Sequence, residues 1–132
     1  MRVLYVIQRY APYIGGAELV FQENGERLAE AGHAVTVYTT DAWDLERFWR
    51  SDKRAVELQN EERNGVFIQR FGIEYLPFSP LTFPALKRGM SLLAQLPFET
   101  TPLLFALGRY TPYVTSLDRA VAETPEHFEV VH

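Results

Sequence analysis

The sequence predicts an α/β fold, a parallel sheet with flanking helices, and three observations carry that prediction. Strand-like runs recur at residues 3–7, 34–39, 66–71 and 128–132, the first of them short, apolar and β-branched, the form a strand takes when both faces of its sheet are covered. A stretch with helical spacing, 17–31, separates the first two runs and stops at Gly32. Strand, helix and strand joined by tight turns within about forty residues make a βαβ unit, whose crossover is right-handed.

The first strand ends near Gln8-Arg9-Tyr10, and the chain then passes through Ala11-Pro12-Tyr13-Ile14-Gly15-Gly16-Ala17-Glu18. Pro12 cannot extend a strand ladder, so the chain leaves the sheet there. Gly15 and Gly16 permit positive φ and leave no side chain between a ligand and the first N–H groups of the helix, which is how an anion site is built. The same pair also reads as a plain turn. It is neither the G-x-G-x-x-G dinucleotide fingerprint nor a P-loop, since no Gly-Lys-Ser/Thr follows. Arg9 lies at the carboxyl end of the strand, where open sheets bind ligands, and suits a phosphate or carboxylate. With no partner in view, a solvated loop arginine is the favoured reading. Glu18 in the first turn favours the positive end of the helix dipole.

Within the helix, Val20, Phe21, Leu28 and Ala31 mark the apolar face, with Gln22, Glu23, Glu26, Arg27 and Glu30 mostly opposite. Gly25 costs about 1 kcal/mol relative to alanine in a helix, and it reads as a place where helix and sheet approach closely. Gly32 is the expected C′ residue, and His33 is expected to pack and hydrogen-bond at the corner before the second strand.

Residues 41–64 are dense in charge of both signs. Leu45, Phe48, Trp49 and Val56 suggest a short amphipathic helix, and Trp43 and Trp49 are expected to pin a long surface excursion. Gly65 introduces the third strand. From 72 to 101 the chain is rich in proline and aromatics. Pro84 opens an expected helix to about Gln95, and Thr101-Pro102 and Thr111-Pro112 open two more, the last turning Val114, Leu117, Ala120 and Val121 inward. The helix with Lys87 and Arg88 suits a membrane surface or a lipid acceptor, although packing against its own sheet is the favoured reading. The fourth strand, 128–132, leaves an open edge, so the sequence reads as cut within a domain.

Composition narrows the functional classes. The 132 residues are 47% hydrophobic, enough for one domain with a core. A net charge of −4 with scattered basic residues argues against nucleic acid as a partner. Without cysteine, neither a disulfide framework nor a thiolate metal site is possible. His33, His127 and His132 lack ligand spacing. No stretch has the length of a signal-peptide core or a membrane span, which makes a cytoplasmic protein the default expectation.

The pattern P-x-x-G-G-A-E at 12–18, followed by L-x-x-x-G-H-x-V-T-V at 28–37, resembles the N-terminal domain of family 4 glycosyltransferases. The likeness covers 1–40 closely and 65–71 and 126–132 loosely, with Asn24-Gly25 standing where that family usually has Leu-Ala. It implies residues 1–132 to be the incomplete, Rossmann-like N-terminal half of a retaining GT-B enzyme, with the C-terminal nucleotide-sugar domain absent. The implied substrates are a nucleotide-sugar donor and an acceptor hydroxyl on a glycan, lipid or small molecule, with no cofactor and no metal. The resemblance places Gly15 and Gly16 by the donor diphosphate, with Arg9 and Glu18 beside them and His132 at the cleft end of strand four. It puts the catalytic side chains outside this chain, so the fragment alone is expected to be inactive. The competing reading is a stand-alone, non-catalytic binding module for a phosphorylated ligand or a partner protein.

Overall fold

The computed structural model describes residues 1–111, 114–124 and 128–132. Five strands, β1 (Arg2–Val6), β2 (Ala34–Thr40), β3 (Asn60–Arg63), β4 (Val66–Phe71) and β5 (Val130–Val131), form one sheet in the order β3-β4-β2-β1-β5. The helices are α1 (Gly16–Glu30), α2 (Thr82–Leu93), α3 (Thr101–Gly108) and α4 (Thr115–Glu123).

Alternation along the strands divides the core into two layers. Val3, Tyr5, Val35, Val37, Val66 and Ile68 face α1, joined by Tyr10 and Ala11 from the loop after β1. Leu4, Tyr38 and Phe71 face the other way and gather Phe48, Ile73 and Val114, with Leu117, Ala120 and Val121 of α4 packed against them. The inward turn expected of α4 is therefore observed, while Pro112 and His127 lie outside the described residues. Leu4, Val37, Val66 and Ile68 are fully buried, each contributing roughly 1.5–3 kcal/mol over an exposed position.

The sheet is mixed, not purely parallel. β1 pairs in parallel with β2 and β5, and β2 with β4, but β3 runs antiparallel to β4. The turn between β3 and β4 is Asn64-Gly65, with φ of 50° and 76° at the two residues. Both values suit the two-residue hairpin turn whose twist matches that of the strands. Residues 41–64 thus end in an edge strand, Asn-Glu-Glu-Arg, and their helical content is one 3-10 turn, Leu45–Phe48.

Helix α1 buries a stripe that only partly coincides with the one its apolar residues suggest. Glu18, Gln22 and Gly25 are buried and Phe21, Leu28 and Ala29 partly so, while Val20 (57% exposed) and Ala31 face solvent. The stripe runs at spacings of four and three through Gly25, the residue with the least bulk. A Cβ there would sit 3.4–3.6 Å from Tyr10, Tyr5 and Val66, so alanine just fits and anything larger does not. Close approach at Gly25 selects the face. The helix ends as expected: Gly32 has φ 85°, its N–H donates to the Ala29 carbonyl, and that of His33 donates to Leu28. His33 also meets the N-terminal amine through Nδ1 at 3.3 Å, in the expected corner.

The expected packing of the 84–95 helix on its own sheet is not found. Neither α2 nor α3 has a buried residue. α2 opens at Thr82, two residues before Pro84, and its anchor to the body is the Phe83 ring stacked on Trp49 at 5.9 Å. Trp43 lies against the Arg54 guanidinium at 3.8 Å, a contact within the excursion, while Trp49 packs against the second core layer and pins the excursion there. Just before α2, Phe78 has φ 66°, a strained conformation for a bulky residue, and is 88% exposed. No helix among the described residues is long and apolar enough to cross a membrane.

Candidate functional site

The loop from β1 to α1 is held to the sheet at each step. The Ile7 N–H donates to Tyr38, and the Gln8 carbonyl accepts from the Thr40 hydroxyl at 2.6 Å. Tyr10 and Ala11 are buried beneath α1. Burial, reinforced by the charge of Glu26 and by Tyr5, pushes the Tyr10 phenol up to about 12. A raised phenol pKa keeps the folded chain protonated above pH 10, where the unfolded chain loses its proton. Stability is therefore expected to hold up to about pH 10 and to fall as pH rises towards 12, with Tyr10→Phe removing that loss in denaturant titrations at stepped pH.

At the end of the loop, Gly15 is the N-cap of α1, with φ −136° and ψ 173°, and no side-chain hydrogen bond closes this helix end. Neither Gly15 nor Gly16 uses the positive φ that glycine permits. Their roles are steric, and they differ. A Cβ on Gly15 would lie 2.4 Å from Glu18 Oε2 and 2.8 Å from Tyr13 Cε1, whereas nothing lies within 4 Å of one on Gly16. Gly15 makes room for the protein's own side chains. Gly16 leaves room that the chain does not use.

Arg9 is not the solvated loop arginine that was favoured. It pairs with Glu18 at 2.9 Å, the two side chains being 13% and 11% exposed, and its guanidinium lies 3.8 Å over the Tyr13 ring. Glu18 thus does more than complement the dipole: its carboxylate fills the space over Gly15 and balances Arg9. An incoming anion at the Gly16 end of the helix would meet uncapped backbone N–H groups and could recruit Arg9 only by sharing it with Glu18.

Arg9, Gly15, Gly16 and Glu18 therefore come together as the sequence suggested, but His132 does not join them. Its backbone continues the β5 ladder, donating to Leu4 and accepting from Val6. Its ring stacks on Phe21 at 5.3 Å, over a groove of about 300 Å³ that also touches Met1, Val3 and Val130. A separate cleft of about 220 Å³, walled by Val6, Gln8, Thr40 and Leu117, opens at the carboxyl ends of β1 and β2. Among the described residues no three His, Asp or Glu side chains gather as a metal site.

Sequence reasoning missed Arg70. On β4 it continues the buried alternation of Val66 and Ile68, and it sits opposite Thr39 of β2. Its side chain is 1% exposed and donates to the Ala11 carbonyl at 2.5 Å, the Leu58 carbonyl at 3.0 Å and the Glu61 carboxylate at 2.8 Å. It clamps the glycine loop to the sheet and to the segment leading into β3. The signal was available, as an arginine at the third inward position of a buried strand. A second network beside it, Arg47 paired with Asp41 at 3.1 Å and Asp41 accepting from the Ile73 N–H, closes the excursion.

Compared with protein-family models, with curated proteins and with solved structures, the chain matches none.

Proposed function

We propose that these residues form the acceptor-side domain of a retaining glycosyltransferase, which moves a sugar from a nucleotide-sugar donor to an acceptor hydroxyl. The observation that carries the reading is Gly16, the first residue of α1, where the fold needs no glycine and no protein atom uses the space. A diphosphate group suits this position, because its oxygens could approach the backbone N–H groups that a side chain would screen. The P-x-x-G-G-A-E pattern and the mostly parallel α/β sheet support the same reading. In it, the N-terminus of α1 stabilises charge that develops on the departing nucleoside diphosphate, with Arg9, shared with Glu18, as the counter-charge. The cleft beside Gln8 and Thr40 receives the acceptor, and the nucleotide site and catalytic side chains belong to a second domain beyond these residues.

Titration of the isotope-labelled chain with pyrophosphate and with nucleotide sugars tests this. The amide signals of residues 15–18 are expected to shift, weakly but in a saturable manner. Gly16→Ala is expected to weaken that response at least about tenfold while changing stability by less than about 0.5 kcal/mol, as for an open surface position. An unchanged response in Gly16→Ala, or none in the parent chain, overturns the proposal. Transfer of sugar by this chain alone would overturn the division of labour between two domains.

A further inference from the structure

The α2–α3 segment is the part of the molecule for which the core offers no explanation. Eight of the seventeen large hydrophobic side chains that stand exposed among the described residues fall between positions 78 and 110. Phe78, Leu81, Leu92, Phe98 and Phe105 are the most open of them, flanking both ends of α2 and continuing along α3. Singly exposed leucines are ordinary, but a concentration of this kind on one excursion marks a surface that meets something else. Phe78 strengthens the point, since its backbone is strained while its ring gains no packing.

Charge says what that something is. Residues 76–110 carry Lys87, Arg88 and Arg109 against Glu99 alone, a net +2, in a chain of net −4 whose remainder is therefore −6. Glu99 is turned to the start of α3, where the Thr101 hydroxyl and N–H hold its carboxyl below the usual range. Lys87, Arg88 and Arg109 are exposed and pair with no carboxylate among the described residues. A second copy would oppose these positive segments to each other. An anionic surface would attract them and repel the acidic body, setting one orientation.

We propose that the α2–α3 segment docks the protein on the surface of a bilayer containing anionic phospholipids. The aromatic and leucine side chains enter the interfacial region, and Lys87, Arg88 and Arg109 lie at the level of the phosphates. α2 has twelve residues, too few to span, so the segment lies in the plane of the interface. The proposal does not depend on the glycosyltransferase reading, because it uses none of the residues around Gly16.

Co-sedimentation of the whole chain with vesicles provides the test. Binding is expected to phosphatidylglycerol–phosphatidylcholine vesicles, with little to pure phosphatidylcholine and less at high salt. Each cation at such a surface counts for about a factor of five, so Lys87→Gln with Arg88→Gln is expected to reduce binding about thirtyfold. Phe78→Ser with Phe105→Ser is expected to reduce it as well, and circular dichroism unchanged in both pairs keeps the comparison one of surfaces. Equal binding to neutral vesicles, or none to anionic ones, overturns the proposal. So does a dimer that Phe78→Ser and Phe105→Ser dissociate and that ignores vesicles, since a second copy would then be the occupant.

Discussion

Replacing Arg70 with methionine is expected to lower stability by about 3 kcal/mol, near the low end for breaking a buried ion pair. The guanidinium is fully enclosed, and its loss strands two carbonyls, one of them on the buried Ala11. Glu61 is also left unpaired, but at 26% exposure water can reach it, which moderates the cost. For a domain of this size the change corresponds to a fall in Tm of roughly 10 °C. Glu61→Gln alone is expected to cost less than about 1 kcal/mol, and adding Glu61→Leu to Arg70→Met to restore part of the loss. Thermal unfolding followed by circular dichroism reads all three. Faster amide exchange confined to residues 10–16 in Arg70→Met would identify the loop as what the clamp holds, whereas uniformly faster exchange would make Arg70 a general core residue.

Alanine at Gly15 is expected to cost about 2 kcal/mol, although the backbone there is extended and any residue could adopt it. The added Cβ collides with the Glu18 carboxylate and the Tyr13 ring, both held by Arg9. Something must move, and the mobile member is Glu18, whose departure leaves Arg9 confined without its partner. Alanine at Gly16 is expected to leave the unfolding midpoint where it was. The two neighbours thus separate a structural requirement from a functional one in a pair of denaturant titrations. Equal losses at both positions would mean that the whole turn is sterically closed, and the room at Gly16 would lose its significance.

The elements that repeat a simple period were legible in the sequence. β1, β2 and β4 are marked by apolar and β-branched residues, and the α1 terminus by Gly32. β3 is not legible from composition, because Asn-Glu-Glu-Arg is not strand-like; its signature is the following Asn64-Gly65, a hairpin dipeptide. The buried face of α1 was legible only in part: Phe21 and Leu28 pack on the core as their spacing suggests, but its centre is occupied by a glycine and two polar residues, so Val20 and Ala31 fall outside it. The Arg9–Glu18 pair shows a different limit. Each residue was identified, but nine positions apart in a loop of unknown path they give no sign of contact. Packing of α2 was misjudged since an amphipathic helix looks alike whether its apolar side meets a sheet or a different medium.

The two margins of the sheet are unlike, and this bears on how the molecules behave when crowded. On one side β3 presents three charged residues out of four; on the other, β5 presents Val130 and Val131. A strand from a neighbouring molecule would have to desolvate Glu62 and Arg63 to extend the sheet beyond β3. Lateral accretion at the β3 margin is therefore disfavoured. The acidic hairpin acts as a stop at that side of the sheet, keeping a neighbour's strand from extending it there.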